Sequence, residues 1–249
     1  MKHAIGIDIG GTGLKGAIVN LKKGELITER MRFDTPAGGS PDKIVEKVIE
    51  LVRVIDAPKN TPIGICFPSP VKNGVTMSAA NVSDEWIGLK AEKLFTKALG
   101  RPVVLLNDAD AAGVAEIKFG AGQDRKGLVL MCTLGTGIGT ALFMNGKLIP
   151  NTELGHIEID GVDYETKAAY SAKERDNLSF EQWAKVLTKY FDRLNRLFYP
   201  DLIIIGGGVS KEHESFMHLI ESDVEMITAR SKNNAGIIGA AYFASRRLA

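Results

Sequence analysis

Asp8-Ile9-Gly10-Gly11-Thr12-Gly13-Leu14-Lys15-Gly16-Ala17-Ile18-Val19 places a Gly/Thr-rich turn between two apolar runs. A weaker copy follows half a chain later. Gly11-Thr12-Gly13-Leu14 recurs as Gly135-Thr136-Gly137-Ile138, and Ala17-Ile18-Val19 recurs as Ala141-Leu142-Phe143. Both matches lie 124 positions apart in a chain of 249 residues. Such a turn, used once per half, predicts two related lobes. Each lobe would offer backbone N–H groups and a hydroxyl to a phosphate. The chemistry to expect is phosphoryl transfer in a cleft between the lobes.

Gly11-Thr12-Gly13-Leu14-Lys15-Gly16 also fits the dinucleotide pattern G-x-G-x-x-G. That fingerprint requires a helix to begin at the turn. Here Ala17-Ile18-Val19 and then Lys22-Lys23-Gly24 predict a second strand, which argues against a nicotinamide cofactor. No Gly-Lys-Ser/Thr occurs, so there is no Walker A motif.

Outward from the first turn, strands are predicted at His3–Ile9, Leu14–Leu21 and Glu25–Phe33. Ser40-Pro41 reads as a helix cap and first helical position, followed by apolar residues at helical spacing from Ile44 to Ile55. A strand (Ile63–Phe67), a loop around Asn73-Gly74, a helix (Leu89–Leu99) and a strand (Val103–Leu106) lead to the helix Ala109–Phe119. The second half repeats the theme. Its strands are Leu128–Leu134, Ile138–Met144, Lys147–Ile149, Leu202–Ile205 and Val224–Thr228, its helices Phe180–Phe198 and Ala235–Leu248, with a polar loop through Glu153–Asp163. Two β-β-β-α-β-α lobes result. Residues 1–109 form the first, with the helix 235–249 packing back on it, and residues 110–234 form the second.

Composition narrows the function classes. Hydrophobic residues make up 45% and charged residues 24%, enough apolar material for a core in each half. A net charge of +1 gives no general attraction to polyanions, so no nucleic-acid partner is expected. The two cysteines, Cys66 and Cys132, sit in apolar strand-like runs and read as small buried hydrophobes, not a disulfide or a metal cluster. No signal-peptide core or membrane-length stretch is present, so the expected location is the cytoplasm with no membrane partner.

At this point the motifs resemble a known family. Asp8-Ile9-Gly10-Gly11-Thr12 and Leu134-Gly135-Thr136-Gly137-Ile138-Gly139 resemble the two phosphate motifs of the sugar-kinase, hexokinase and actin fold. Leu106-Asn107-Asp108-Ala109 resembles the catalytic segment of the ROK sugar kinases, and Glu153-Leu154-Gly155-His156 their sugar-binding segment. Ile205-Gly206-Gly207-Gly208-Val209-Ser210 resembles their third, nucleotide-proximal glycine turn. Within the family, the runs from Asn107 to Gly113 and from Glu153 to Gly161 are most similar to the polyphosphate glucokinase branch. The resemblance implies an α/β fold of two RNase H-like lobes with an interlobe cleft. It implies transfer of phosphate to the 6-hydroxyl of glucose from polyphosphate, and possible use of ATP. The alternative it leaves open is an ATP-dependent ROK kinase for another hexose, such as mannose or N-acetylmannosamine. The family's repressors carry a helix-turn-helix arm before the first motif; only seven residues precede Asp8 here, so that class is not expected. A homodimer is implied. The cysteine-rich zinc motif of general ROK proteins is missing, so no zinc is expected.

The residues then take roles. Asp108 is the candidate base that accepts the sugar hydroxyl proton; the bland alternative is that it caps the helix that follows. The resemblance places Asn81, Asn107, Asp108, Glu153, His156 and Glu165 on the sugar. Trp86 divides evenly between core packing and a cleft wall. Gly10, Gly11, Thr12, Gly135, Thr136, Gly137, Gly207 and Gly208 are candidate phosphate contacts, with Lys15 as a neutralising cation or an ordinary strand lysine. Asp8 would hold Mg²⁺ through water. Its counterpart 124 positions later is Cys132, so only the first turn carries a metal-facing carboxylate. Lys167, Lys173, Arg175, Lys211 and Lys232 are candidates for a polyphosphate track.

Overall fold

The computed structural model describes residues 1–248. The chain divides into two compact units. One comprises Met1–Ala115 with the segment from Asn234 onward, and the other comprises Glu116–Asn233.

In the first unit β1 (His3–Ile9) pairs antiparallel with β2 (Gly13–Asn20), Asp8 opposite Lys15 and Ile9 opposite Leu14. Two short strands, β3 (Glu25–Leu26) and β4 (Met31–Asp34), both pair antiparallel with β2. The single strand predicted over Glu25–Phe33 is therefore broken. Thr28 is the reason: its hydroxyl accepts the Ile18 N–H at 3.1 Å, a bond that a backbone carbonyl would otherwise take. Helix α1 (Pro41–Ile55) starts on its proline and buries Ile44, Val45, Val48, Leu51 and Ile55. The Ser40 hydroxyl bonds Asp42 and not the helix backbone.

The fully buried strand β5 (Ile63–Phe67) runs parallel to β1. Where a loop was expected, β6 (Val71–Lys72) and β7 (Val75–Thr76) form a small hairpin about Asn73-Gly74, both in the left-handed region. Helix α2 (Ala91–Leu99) ends at left-handed Gly100. Strand β8 (Val103–Asn107), parallel to β5, passes directly into α3 (Asp108–Phe119). The sheet order is β3-β2-β1-β5-β8.

The second unit repeats this order. Its strands are β9 (Leu128–Leu134), β10 (Ile138–Met144) and β11 (Lys147–Ile149), then a hairpin of β12 (Glu158–Ile159) with β13 (Val162–Asp163). Two short helices that the sequence reading missed follow, α4 (Glu165–Ala168) and α5 (Tyr170–Arg175). Helix α6 (Phe180–Phe198) opens with a capping box in which Ser179 and Gln182 each bond the other's backbone. Strands β14 (Leu202–Gly206) and β15 (Met226–Thr228) complete a sheet of order β11-β10-β9-β14-β15. In each unit three antiparallel strands continue into two parallel ones.

Helix α7 (Ala235–Arg247) packs on β1, β5 and β8 of the first unit. It comes unusually close. A Cβ on Gly64 would lie 1.9 Å from the Ala240 carbonyl oxygen, and one on Gly239 would lie 1.7 Å from that of Ala111. Glycine is the residue whose bare backbone allows helix and strand to meet at this distance.

Candidate active site

The carboxyl ends of the parallel strands carry the candidate chemistry of the first unit. Register sets Asp8 beside Cys66, and Phe67 beside Asn107. This edge is where open α/β sheets bind ligands. Cys66 is fully buried and donates its thiol to Asp8 Oδ1 at 3.4 Å, while Lys15 Nζ lies 3.6 Å from Asp8 Oδ2. Burial, then the charges of Asp8 and Asp108, push the Cys66 thiol well up, which keeps it a neutral donor.

Asn107, not Asp108, caps α3. Its Oδ1 accepts the Asp110 N–H at 3.0 Å, the bond to the third helical residue that defines a cap. Asp108 is the exposed first residue of the helix, its Oδ1 accepting the N–H of Ala109 at 2.8 Å. The structural alternative for Asp108 therefore passes to its neighbour, and Asp110 is buried.

The first glycine turn closes through Gly10 N–H to the Gly13 carbonyl at 3.0 Å. Thr35 braces it: Thr35 Oγ1 donates to the Gly10 carbonyl at 2.5 Å and Thr35 N–H to that of Thr12 at 3.4 Å. Asn81, in the left-handed region, lies against the turn; a Cβ on Gly11 would be 2.6 Å from the Asn81 Cβ. A cavity of about 300 Å³ opens here, lined by Gly11, Thr35, Gly38, Gly39, Asn81 and Val82 among others. Trp86 does not line it. It is fully buried against Phe67 and Phe95, and its Nε1 holds the Gly39 carbonyl at 2.8 Å. It is a core residue that fixes the cavity's backbone wall.

The second turn closes in the same way, Gly135 N–H to the Gly137 carbonyl at 3.0 Å, but it is one residue shorter. The last pair before the first turn is Ile9–Leu14, and before the second it is Leu134–Ile138. The constant offset of 124 therefore slips by one along β9. The counterpart of Asp8 is Thr133 and not Cys132, whose side chain is fully buried. A carboxylate still occupies only the first of the two positions. Ser171 holds this turn through its N–H on the Gly135 carbonyl (3.1 Å) and its Oγ on that of Thr136 (2.6 Å). Glu165 Oε2 accepts the Ile138 N–H at 2.6 Å, which sets this carboxylate beside the turn. In the third glycine turn, Gly207 requires glycine: with φ of +86° a Cβ would fall 2.2 Å from the Leu134 carbonyl oxygen. Gly208 faces open space, as does Gly135.

Glu153 and His156 are both exposed on a short 3₁₀ turn. The turn is anchored by Tyr190 Oη on the Leu154 carbonyl (3.1 Å) and by the Leu154 N–H on Thr140 Oγ1 (3.0 Å). Asp163, which the sequence reading passed over, organises the neighbourhood. Its Oδ2 meets His156 Nδ1 at 2.9 Å and its Oδ1 accepts the Glu165 N–H at 3.2 Å. Partial desolvation raises the Glu153 carboxyl even though the residue reaches solvent, with His156 opposing and Glu165 adding to the effect. The bond to Asp163 is the main cause holding the His156 imidazole above its ordinary 6.5. A raised folded-state value makes the protonated form the stabilising one. That stabilisation is complete below the unfolded value and is lost as pH rises through the folded one. Asp163→Asn is expected to bring the imidazole midpoint down towards 6.5, read by NMR titration of the ring protons. An unmoved midpoint would contradict the pairing.

The candidate polyphosphate track is thinner than the sequence implied. Lys173 is largely covered, its ammonium 4.5 Å above the Phe180 ring and paired with Glu174, and Arg175 pairs with Asp176. Lys167, Lys211 and Lys232 remain exposed. A separate cavity of about 520 Å³ in the second unit, lined by Gln123, Arg125 and Arg230 among others, includes none of the motif residues.

A sequence model described as the ROK family matches residues 4–174. A polyphosphate glucokinase of Mycobacterium tuberculosis (strain CDC 1551 / Oshkosh) is 42% identical over 241 residues, covering 96% of this chain and 90% of the relative. One from Mycobacterium leprae (strain TN) is 43% identical over 240 residues, covering 96% and 74%. Among solved structures, an inorganic polyphosphate/ATP-glucomannokinase from Arthrobacter sp. strain KM superposes with a TM-score of 0.94 at 46% identity. The match covers 99% of this chain and 100% of that one.

Proposed function

Since this chain belongs to the ROK family of sugar kinases, we propose that it is a glucokinase that uses inorganic polyphosphate, phosphorylating glucose at its 6-hydroxyl. The observation that carries this reading is the near full-length likeness to polyphosphate-using enzymes, joined to the local arrangement of each unit. Asp108 is the base: it takes the hydroxyl proton as the oxygen attacks the terminal phosphorus, whose phosphoanhydride P–O bond breaks and releases polyphosphate one unit shorter. Asn81, Asn107, Glu153, His156 and Glu165 are the residues assigned to the sugar's hydroxyl groups. Their mix of acceptors and donors suits a polyol. Gly10, Gly11, Thr12, Gly135, Thr136, Gly137 and Gly208 meet the donor phosphates. Lys15 contributes charge beside Asp8. Gly207 supports its turn through packing.

Magnesium suits this donor set. Among the described residues no group of three or more His, Cys, Asp or Glu could hold a metal by itself. Magnesium keeps most of its waters and needs only one or two carboxylates together with substrate phosphates. Asp8, partly exposed at the sheet edge, would supply that carboxylate. The ion would neutralise charge on the transferred phosphoryl group. The same reading makes the enzyme a cytoplasmic homodimer. Among the described residues no helix is long and apolar enough to cross a membrane.

The Arthrobacter enzyme's name includes ATP and mannose, which favours both as further substrates here. Purified protein with glucose, Mg²⁺ and polyphosphate is expected to form glucose 6-phosphate, with parallel arms using ATP and mannose. Product with ATP alone would move the assignment to an ATP-dependent hexose kinase. No product with any pair would remove the kinase reading.

A further inference from the structure

The backbone polar groups of the second glycine turn divide into those with a partner and two without. The carbonyls of Gly135, Thr136 and Gly137 accept from Ser171 N–H, Ser171 Oγ and Gly135 N–H respectively. The Ile138 N–H goes to Glu165. The N–H groups of Thr136 and Gly137 are the two in the turn for which the described residues provide no acceptor.

A trans peptide is planar, with its carbonyl and N–H pointing in opposite directions. Ser171 draws the Gly135 and Thr136 carbonyls to itself, so the N–H groups of Thr136 and Gly137 both face away from it. Two successive N–H donors aimed to one side make an anion-binding concavity. Open space around a Cβ at Gly135 and the exposure of Thr136 leave the turn accessible.

The first turn repeats the device. Thr35 uses its own N–H and hydroxyl on the Thr12 and Gly10 carbonyls, which turns the Gly11 N–H away from it. Thr35 and Ser171 stand 136 positions apart, off the 124-residue repeat, and come from unlike elements. The internal duplication therefore does not explain the recurrence. A shared need does: each turn must hold its carbonyls back from an anion.

We infer that Ser171 is a positioning residue for the phosphoryl donor, locking the second turn in its anion-accepting form, and that Thr35 does the same for the first. This rests on the reading that the turns bind donor phosphate. Ser171→Ala removes the hydroxyl and keeps the N–H, whereas Ser171→Thr keeps both. Calorimetry with magnesium tripolyphosphate is expected to show Ser171→Ala binding roughly five- to tenfold more weakly, the scale of one hydrogen bond. The KM for polyphosphate should rise by a similar factor, the KM for glucose should stay within about twofold, and Ser171→Thr should restore both readings. Gly135→Val, which adds bulk in the open space at Gly135, separates the two ideas. If it weakens tripolyphosphate binding while Ser171→Ala does not, the positioning role is wrong and the turn reading stands. If neither variant weakens binding, the turn is not a donor site and both fail. Equal effects of Ser171→Ala on donor and glucose would also overturn the inference.

Discussion

Asp108→Asn is expected to lower kcat for glucose phosphorylation by about 10³-fold while glucose still binds within about threefold of the parent affinity. The reasoning rests on a division of labour at the start of α3. Asn107 carries the cap, so changing Asp108 does not release the helix end. An amide oxygen can replace the carboxylate in the local bond to the Ala109 N–H. What the amide cannot do is accept a proton from an attacking hydroxyl. Asp108 is exposed, so its loss should cost the fold little. Glucose calorimetry and single-turnover kinetics measure the two halves of the expectation. A kcat within tenfold of the parent would remove Asp108 as the base.

Gly239→Ala should destabilise the first unit by about 3 kcal/mol, the upper range for overpacking. The new methyl would meet the Ala111 carbonyl oxygen at 1.7 Å and its carbon at 2.5 Å. Both are backbone atoms of α3, so no side-chain rotation relieves the clash. Relief requires α7 to lift from α3, and with it from Gly6 and Gly64, whose own missing side chains permit the same close approach. Urea unfolding followed by circular dichroism gives the number. A loss under 1 kcal/mol would mean that the helix shifts without cost, and the tight packing would not be essential.

Much of this was readable from residues because the signals are local. Paired apolar runs around glycine turns announce their own hairpins. Phe180–Phe198 matched at both ends, since the Ser179–Gln182 box and a long amphipathic face leave little choice. The misses share a different cause. The break between β3 and β4 arises from one hydroxyl substituting in a ladder, which no periodicity reports. Helices α4 and α5 are too short to show a period. They are held from outside, by Trp183 Nε1 on the Ala168 carbonyl and by Ser171 on the glycine turn. Asp163 looked like the end of a polar loop because its two partners, His156 and Glu165, are gathered by the fold. The shift of the Asp8 counterpart to Thr133 is a one-residue deletion, and matching glycines by a fixed offset runs straight across it.

The route of α7 also bears on how the protein is made. The second unit is one unbroken stretch, whereas the first needs α7, translated after all of its other elements. While the ribosome is still at work, the face of the first sheet around Gly6 and Gly64 has no helix to cover it. The later-encoded unit can close while the earlier one waits, reversing the usual vectorial order. Loss of residues from α7 would then be felt in the unit that carries Asp8 and Asp108.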